Sequence, residues 1–267
     1  MQEQALHQHR PPPGARIWLV AGTGEGPPLA HWLLERGWSV QVSVVSEAAA
    51  RAYTRQERLE VRVGALTTEQ IGMALDGTPL RWVIDASHPF ASRISAALAH
   101  SCRERGQPLL RLHRPLMPVG DALLLSGLEE LAGAGVEGQR LLLAIGARRL
   151  GAAMAHCPAA VHHARILPSA EALRQAMAAG LPPQRVACLR PPAQADAAAA
   201  VEEALCRRWR IEAVLARRSG GPSQSHWQRI CATLGLRLLL LERPAEPQGV
   251  SELTLEALRQ RLADPAG

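Results

Sequence analysis

The chain has 267 residues, 47% of them hydrophobic, and a formal net charge of +6 at pH 7. At about 100–150 residues per soluble domain, this length favours two hydrophobic cores. All 30 basic residues are arginine, which excludes a lysine Schiff base and the usual lysine-bearing phosphate loop. The arginines are scattered, so we expect no nucleic-acid partner. A substrate with several carboxylates fits this composition, as does a GC-rich genome.

Cysteine spacing and the N-terminal segment both point to the cytoplasm. The five cysteines contain no C-x-x-C pair, and the histidines show no metal-ligand spacing, so we expect neither a disulfide framework nor a metal site. Residues 1–15 are predicted to be a flexible tail, because they lack the apolar stretch of a signal peptide. No apolar run approaches the ~18 residues of a membrane span. We expect a cytoplasmic monomer with no membrane partner.

The first half of the chain alternates short apolar runs with amphipathic segments. Apolar runs bounded by turn residues predict buried strands, and apolar spacings of three to four residues predict helices. The predicted strands are 17–21, 40–45, 59–63, 82–85 and 109–112. The predicted helices are 29–36, 47–55, 67–75 and 89–105. This alternation indicates a parallel, doubly wound sheet with helices on both faces.

A second series of the same kind follows the proline- and glycine-rich segment 114–127. Its predicted strands are 141–145, 161–166, 186–189, 213–216 and 236–241. Its predicted helices are 149–155, 170–179, 193–208, 224–234 and 253–262. We therefore predict an α/β protein of two Rossmann-like, doubly wound domains, residues 16–120 and 121–267. A cleft between the two domains would be a common place for a ligand.

A glycine-rich segment, Ala-Gly-Thr-Gly-Glu-Gly (21–26), separates the first predicted strand from its helix. Glycines at this position let the backbone approach a phosphate, and free N–H groups at a helix start attract anions. The spacing is not G-x-G-x-x-G, so a plain glycine turn explains these residues equally well. The candidate phosphate-binding residues are Gly22, Thr23, Gly24 and Glu25.

A second candidate segment, Asp-Ala-Ser-His-Pro-Phe-Ala (85–91), lies where the fourth predicted strand ends. Pro89 suits a first helical turn, and doubly wound sheets bind ligands at this edge. A helix cap by Asp85 or Ser87 explains the pattern from the residues alone. The segment resembles the Asp-Ala-Thr-His-Pro-Phe-Ala signature of the precorrin-6A reductase family, with Ser87 keeping the threonine hydroxyl.

The resemblance to this family extends from residue 16 to residue 244. The first loop is similar to its Gly-Gly-Thr-x-Glu-Ala, with departures at Ala21 and Gly26. Other similar segments are 61–66, 111–115, 145–150, 164–168, 217–221 and 242–244. In the second half, Arg217 and Trp227 stand where the family has lysines, and 188–191 replaces a Gly-Pro-Phe segment.

The resemblance implies a reductase that uses NADPH to reduce a ring double bond of precorrin-6A, or of its cobalt form. The product would be precorrin-6B, in corrin biosynthesis, and the substrate an anionic tetrapyrrole. Two alternatives remain open from the residues themselves. One is a non-catalytic two-domain sensor or carrier of an anionic ligand, and the other is a phosphosugar or sugar-nucleotide enzyme; the fold alone does not separate these.

We expect NADPH on the first half, with its pyrophosphate near the glycine-rich loop. Ser43 and Ser46, at the end of the second strand, are candidates for the adenosine ribose, although ordinary strand-end hydroxyls explain them too. Arg51 is the candidate for the 2′-phosphate, because no acidic residue ends that strand. The remaining candidates for cofactor contact are Gly64, Asp85, Ala86, Ser87 and His88.

Substrate carboxylates are expected to meet the second half of the chain. The candidates are Arg217, Ser219, Gly220 and Gly221, followed by Arg165 and Arg148. For the Arg148–Arg149 pair, solvated surface charge is the favoured interpretation. His88, with an ordinary pKa of about 6.5, could donate the proton. Holding the nicotinamide or the loop, with water as the proton source, explains His88 as well.

Overall fold

The structure is a computed structural model that describes residues 16–77, 79–190 and 199–263. The chain divides into two compact units, the first comprising Met1–Arg114 with Pro244–Gly267 and the second Pro115–Arg243. The predicted tail, 1–15, and the start of the predicted helix at 193–198 lie outside the described residues.

The observed elements follow the predicted alternation of strands and helices. The strands are β1 (Arg16–Ala21), β2 (Ser39–Val44), β3 (Leu59–Val63), β4 (Trp82–Ala86), β5 (Leu109–Leu112), β6 (Leu123–Leu125), β7 (Arg140–Leu143), β8 (Val161–Ile166), β9 (Val186–Cys188), β10 (Ala213–Arg217), β11 (Arg237–Leu241) and β12 (Ser251–Leu253). The helices are α1 (Gly26–Glu35), α2 (Glu47–Ala50), α3 (Thr68–Gly77), α4 (Ser92–Glu104), α5 (Leu150–His156), α6 (Ala170–Ala178), α7 (Ala199–Trp209), α8 (Pro222–Leu234) and α9 (Leu255–Arg261). Short 3₁₀ turns occupy Leu128–Gly133, Ala147–Arg149 and Pro183–Arg185.

The first unit is built on a parallel sheet with strand order β12-β5-β4-β1-β2-β3. Side chains along β1 alternate between two apolar layers, because successive residues of a strand point to opposite faces. Ile17 and Leu19 pack in the layer that contains α1 and α9. Trp18 and Val20 pack in the layer that contains α3 and α4. The prediction of helices on both faces is therefore confirmed for this sheet.

The C-terminal segment belongs to the first unit, so the prediction that 121–267 forms the second domain is wrong for its last part. β12 pairs in parallel with β5, and Leu258 and Leu262 are fully buried in the core beside α1. The indole N–H of Trp38 donates to the carbonyl of Leu262 at 3.0 Å. Sequence order placed this helix in the second domain, whereas the apolar face of α9 is buried against the first sheet.

The second unit repeats the architecture with strand order β6-β11-β10-β7-β8-β9, again parallel. One face of its sheet packs on α7 and α8 through a core that includes Val214, Trp227 and Ile230. The boundary between the units falls at 114/115, not at 120/121. β6 lies in the segment that we predicted to be an irregular connection, and its three residues form a strand by pairing with β11. Among the described residues, no helix is both long and apolar enough to cross a membrane.

Candidate functional site

The glycine-rich loop lies at the topological switch point of the first sheet. β1 has β4 on one side and β2 on the other, so the loops that follow β1 and β4 diverge to opposite faces and leave a crevice at their carboxyl ends. A Cβ on Gly22 would lie 3.3 Å from the backbone nitrogen of His88. Thus the loop after β1 runs directly against the turn after β4, and the structure brings together the two segments that the sequence singled out.

Thr23 and Glu25 in this loop are bound by an arginine from the end of β5. Arg114 donates from Nε to Glu25 Oε1 at 2.6 Å and from Nη2 to Thr23 Oγ1 at 2.7 Å, and the Thr23 hydroxyl donates to Glu25 Oε2 at 2.7 Å. Burial raises the pKa of Glu25, but the hydrogen bonds from Arg114 and Thr23 and the charges of Arg114 and His88 outweigh burial, so the pKa is lowered. Glu25 is therefore held as a carboxylate.

The backbone N–H groups of the loop are left for a ligand. Within the described ranges, the N–H groups of Thr23 and Gly24 donate no hydrogen bond to the protein. α1 begins at the next turn, with prolines at its first positions, where a missing N–H costs no helical hydrogen bond. The side chains of Thr23 and Glu25 shape the loop, and its backbone is the part that suits an anion.

The packing around Gly26 explains why this position departs from the alanine of the family pattern. A Cβ at this position would lie 2.3 Å from the hydroxyl of Tyr53 and 2.8 Å from Cβ of Ala21. Tyr53 is buried in the core beside α1. The absence of a side chain at Gly26 therefore allows the helix start to pack closely on β1 and on the tyrosine.

Asp85 and Ala86 are buried at the end of β4. Both carboxylate oxygens of Asp85 accept hydrogen bonds from the protein. Its Oδ1 accepts from the Ser87 N–H at 2.9 Å and its Oδ2 from Arg111 Nη1 at 2.6 Å. Arg111 also donates to Ser95 Oγ at 2.8 Å and pairs with Glu246. Burial by itself lowers the pKa of Arg111, but the charges of Asp85 and Glu246 outweigh burial and raise it. This network fixes the turn that carries His88.

His88 lies in a turn, as predicted, but the helix that we expected to begin at Pro89 begins later. The Ala91 N–H donates to the His88 carbonyl at 2.7 Å, with Pro89 inside the turn, and α4 begins only at Ser92. The Phe90 N–H donates to His88 Nδ1 at 3.1 Å. Because Nδ1 accepts, the ring proton of the neutral imidazole lies on Nε2.

The candidate residues near β2 and β3 differ in burial and in hydrogen bonding. Ser43 is buried and its hydroxyl accepts from the Trp18 indole N–H at 2.9 Å. Ser46 caps α2 by accepting from the Ala49 N–H. Arg51, at the other end of that short helix, is exposed. Gly64 ends β3 with φ of 131°, a conformation that requires glycine.

In the second unit, three arginines meet at the corresponding switch point, between β7 and β10. Arg217 ends β10, and its guanidinium lies over Gly146, where a Cβ would be 2.8 Å from Nη2. Gly146 has φ of 85° and precedes Arg148 and Arg149. Burial and the charges of Arg149 and Arg148 lower the pKa of Arg217 to about 10. The two neighbouring positive charges favour an anion beside Arg217, whereas burial disfavours any unpaired charge there.

Hydrogen bonds from Arg243 and to Gln224 fix the loop after β10. Arg243 donates to the carbonyls of Arg218 at 3.0 Å and of Ser219 at 2.8 Å. The Gly220 N–H donates to Oε1 of the buried Gln224 at 2.9 Å. Gly220 has φ of 68°, and a Cβ on it would lie 2.1 Å from Arg243 Nη2. Ser219 is buried, and Gly221 precedes the first turn of α8.

Arg165, in contrast, is engaged inside the fold. Its Nε donates to Glu202 Oε1 at 2.9 Å, and Glu202 Oε2 contacts His226 Nε2 at 2.5 Å. Glu202 and His226 are each 3% exposed in their side chains. The structure therefore places Arg165 in a buried group that ties β8 to α7 and α8.

Sequence reasoning missed three arginines of these sites. Arg111 and Arg114 appeared only as part of a similar segment, and Arg149 fitted a solvated surface. The Arg-Leu-His-Arg spacing (111–114) was the available signal. It identifies no acidic partner, because Asp85, Glu25 and Glu246 are distant in sequence and meet these arginines only in the folded chain.

Comparisons with known proteins agree along almost the whole chain. Residues 16–261 match the family described as Precorrin-6x reductase CbiJ/CobK. A cobalt-precorrin-6A reductase of Synechocystis sp. is 34% identical over 86% of this chain and 89% of its own length. A precorrin-6A reductase of Rhodococcus erythropolis is 29% identical over 87% and 90%. The solved structure of a CobK precorrin-6A reductase has a TM-score of 0.74 at 26% identity, covering 94% of this chain and 99% of that one.

Proposed function

The chain belongs to the precorrin-6x reductase family, and on that premise we propose that it reduces one ring double bond of precorrin-6A or cobalt-precorrin-6A with NADPH. The observation that carries the proposal is the family match over residues 16–261. The segments that resemble the family include the loops after β1 and β4, which lie against each other at the switch point of the first sheet. The reaction adds two electrons and two hydrogens to a C=C bond and oxidises the cofactor to NADP⁺.

The first switch point suits the nicotinamide cofactor of such a reductase. Gly22 lets the loop pass close to the backbone of Ser87 and His88, and the Thr23 and Gly24 N–H groups are available to phosphate oxygens. The acidic Glu25 would oppose a phosphate by itself, but it is neutralised by Arg114. When bound, a reduced nicotinamide supplies the hydride chemistry. The residues that would hold the pyrophosphate are therefore Gly22, Thr23 and Gly24, through their backbone.

A preference for NADPH over NADH rests on Arg51. It is exposed at the end of α2, which follows β2, and guanidinium groups bind phosphates in a bidentate manner. Arg51→Glu should raise the KM for NADPH by more than about tenfold, because it replaces an attractive charge by a repulsive one. The KM for NADH should stay nearly unchanged. Equal effects on both cofactors would remove Arg51 from the site.

In this proposal the turn after β4, with Asp85, Ser87 and His88, borders the reaction site. The Arg111 and Asp85 contacts hold the turn rigid, which is the kind of positioning that accelerates reactions between bound groups. With its proton on Nε2, His88 donates a hydrogen bond to a bound carbonyl or amide. Because the Phe90 N–H contact with Nδ1 fixes the orientation of the ring, we propose that His88 orients a ligand and that water delivers the proton.

The carboxylates of the tetrapyrrole suit the arginines of the second unit. Arg148 and Arg149 place positive charge near Arg217, whose pKa is lowered first by burial and then by these two charges. Ser219, Gly220 and Gly221 form the adjoining loop. We propose that this group binds carboxylates and that Arg165, already engaged by Glu202, does not contact the substrate through its Nε.

The decisive experiment follows the loss of NADPH absorbance after mixing the protein with precorrin-6A or cobalt-precorrin-6A. Oxidation with at least one of the two substrates, dependent on protein concentration, is the expected result and would also identify the substrate form. No oxidation with either substrate would overturn the proposed reaction. The sensor and phosphosugar alternatives have no observation in their favour. The cytoplasmic location and the monomeric state remain predictions.

A further inference from the structure

Two arginines that follow one another closely at the end of β5 each hold a different ligand-facing loop. Arg111 contacts Asp85 and Ser95 and so holds the turn after β4. Arg114 contacts Thr23 and Glu25 and so holds the loop after β1. Neither arginine was among the candidates read from the sequence. The segment after β5 is thus the common support of both loops at the switch point.

We propose that Arg114 is a positioning residue for the cofactor, acting through Glu25: it neutralises and orients that carboxylate so that the loop's N–H groups donate to the cofactor phosphates. The inference rests on the proposed NADPH-dependent function. It adds a division of labour in which Arg114 serves the phosphate loop and Arg111 the turn that bears His88.

Charge and burial support the assignment. The Arg114 side chain is 8% exposed and that of Glu25 33%, and the two are joined by a bidentate contact. In the loop, Thr23 Oγ1 both accepts from Arg114 and donates to Glu25, so the three side chains form a closed triangle. Removing Arg114 opens the triangle and leaves a carboxylate facing the phosphate site without its counter-charge.

A direct contact of Arg114 with a phosphate would be a different mechanism. In the structure, Nε and Nη2 of Arg114 donate to Glu25 and Thr23. If Arg114 acts through Glu25, then neutralising Glu25 should compensate for the loss of Arg114. If Arg114 binds the phosphate itself, the same change should not restore affinity. The two mechanisms therefore differ in whether the two substitutions are energetically coupled.

The experiment measures the dissociation constant of NADPH for wild type, Arg114→Ala, Glu25→Gln and the double variant. Arg114→Ala should weaken binding by about tenfold to a hundredfold, the range expected for losing a charge-assisted contact. The double variant should recover to within about threefold of Glu25→Gln alone. Wherever wild-type substrate turnover is measured, Arg114→Ala should change KM for NADPH much more than kcat.

Acidity provides a readout that simple loss of structure would not move. Glu25 faces Arg114 and Thr23 and receives the charge of His88 from the neighbouring turn. In Arg114→Ala, acid should protonate Glu25 and tighten NADPH binding relative to the double variant, which shares the titrations of His88 and the phosphates. In the wild type this relative gain should be absent, because Arg114 keeps the Glu25 pKa low.

Arg105→Ala is the matched control. Arg105 makes a similar two-bond contact with Asp76 on the surface of the first unit, and its loss should leave NADPH affinity unchanged. If Arg114→Ala does not fold, Arg114→Gln replaces it in the same cycle. Unchanged affinity in the Arg114 variants, or equal weakness in the single and double variants, would overturn the proposal. If the wild type itself fails to bind NADPH, the cofactor assignment is what fails.

Discussion

The ligand-facing edges of the two sheets use arginine in opposite ways. In the first unit, Arg111 and Arg114 are paired with carboxylates, and the charges of Asp85 and Glu246 raise the pKa of Arg111. In the second unit, the groups that shift the pKa of Arg217 are burial, Arg149 and Arg148, all of which lower it. Arginines near the carboxyl ends of neighbouring strands in two similar sheets are thus paired with carboxylates in the first unit and raised in energy by burial and like charges in the second.

This difference distinguishes arginines that stabilise the loops from arginines that are available to bind a ligand. An arginine whose charge is matched inside the fold holds backbone segments and has little attraction left for a ligand. A group of arginines that repel one another costs stability, and an arriving anion relieves that cost. The first edge therefore suits a ligand bound by backbone N–H groups, and the second a ligand bound by side-chain charge.

The largest effect should follow loss of the buried pair in the first unit. Arg111→Ala leaves Asp85, which is 1% exposed, with a buried and uncompensated charge, so the free energy of unfolding should fall by about 3–5 kcal/mol. Urea titration followed by circular dichroism measures this loss. Arg105→Ala, which breaks a surface pair, should cost no more than about 1 kcal/mol. Similar losses for the two variants would contradict the distinction between buried and surface pairs.

The opposite pattern is expected for the second unit. Arg217→Ala should raise the KM for the tetrapyrrole by about 10–100-fold, the range for losing a hydrogen bond to a charged group. NADPH affinity should stay unchanged, and stability should stay level or rise because a repelled charge is removed. Steady-state kinetics and thermal melting measure these effects. Arg174→Ala, at an exposed arginine of α6, is the control. A large loss of stability in Arg217→Ala would show that this arginine is structural after all.

A smaller effect tests the close packing under the first loop. Gly26→Ala places a Cβ against Tyr53 and Ala21 and should destabilise the protein by about 1–3 kcal/mol through overpacking. Tyr53→Phe removes the hydroxyl that lies 2.3 Å from this Cβ and should recover part of the loss in the double variant. Gly24→Ala is the matched control for stability, since a Cβ there meets nothing within 4 Å. Equal melting temperatures for the two alanine variants would disprove the packing argument.

The smallest effect concerns acid. Because the folded-state pKa of Glu25 lies below its ordinary value of 4.5, its contribution to stability is present above pH 4.5 and is lost as the pH falls through the lower folded value. The residue is one-third exposed, so the contribution is at most about 1 kcal/mol after solvent screening. Glu25→Gln should flatten this part of the stability–pH curve. An unchanged acid limb would mean that the contact with Arg114 does not stabilise the loop.

Much of the fold could be predicted from local patterns. Every predicted strand overlaps an observed strand, because buried parallel strands are short apolar runs with clear turn residues at their ends. β6 and β12 were missed, since each has three residues and exists through pairing with a neighbour, β11 or β5. The start of α4 was placed three residues too early, because the His88–Ala91 turn uses Pro89 in a way that also suits a helix start.

The candidate site was predicted in part. The sequence identified the loops after β1 and β4 and the loop after β10, all of which lie at switch points. It offered Ser43 for the ribose, whereas the structure shows its hydroxyl accepting from Trp18. It offered Arg165 for the substrate, whereas Glu202 binds that side chain. Hydroxyls and guanidiniums have many possible partners, and a one-dimensional pattern does not say which partner is near.

What the sequence determined by itself is the alternation of strands and helices, the two glycine-bearing loops and the resemblance that gave the reaction. These follow from the local spacing of residues, which the sequence shows directly. The tertiary structure alone decided that residues 244–263 return to the first unit, that Arg114 reaches Glu25 across 89 positions of the chain and that Arg217 lies beside Arg148 and Arg149. Burial and charge pairing depend on distance in space, so folding was needed to separate the arginines that support the site from those that can bind an anion.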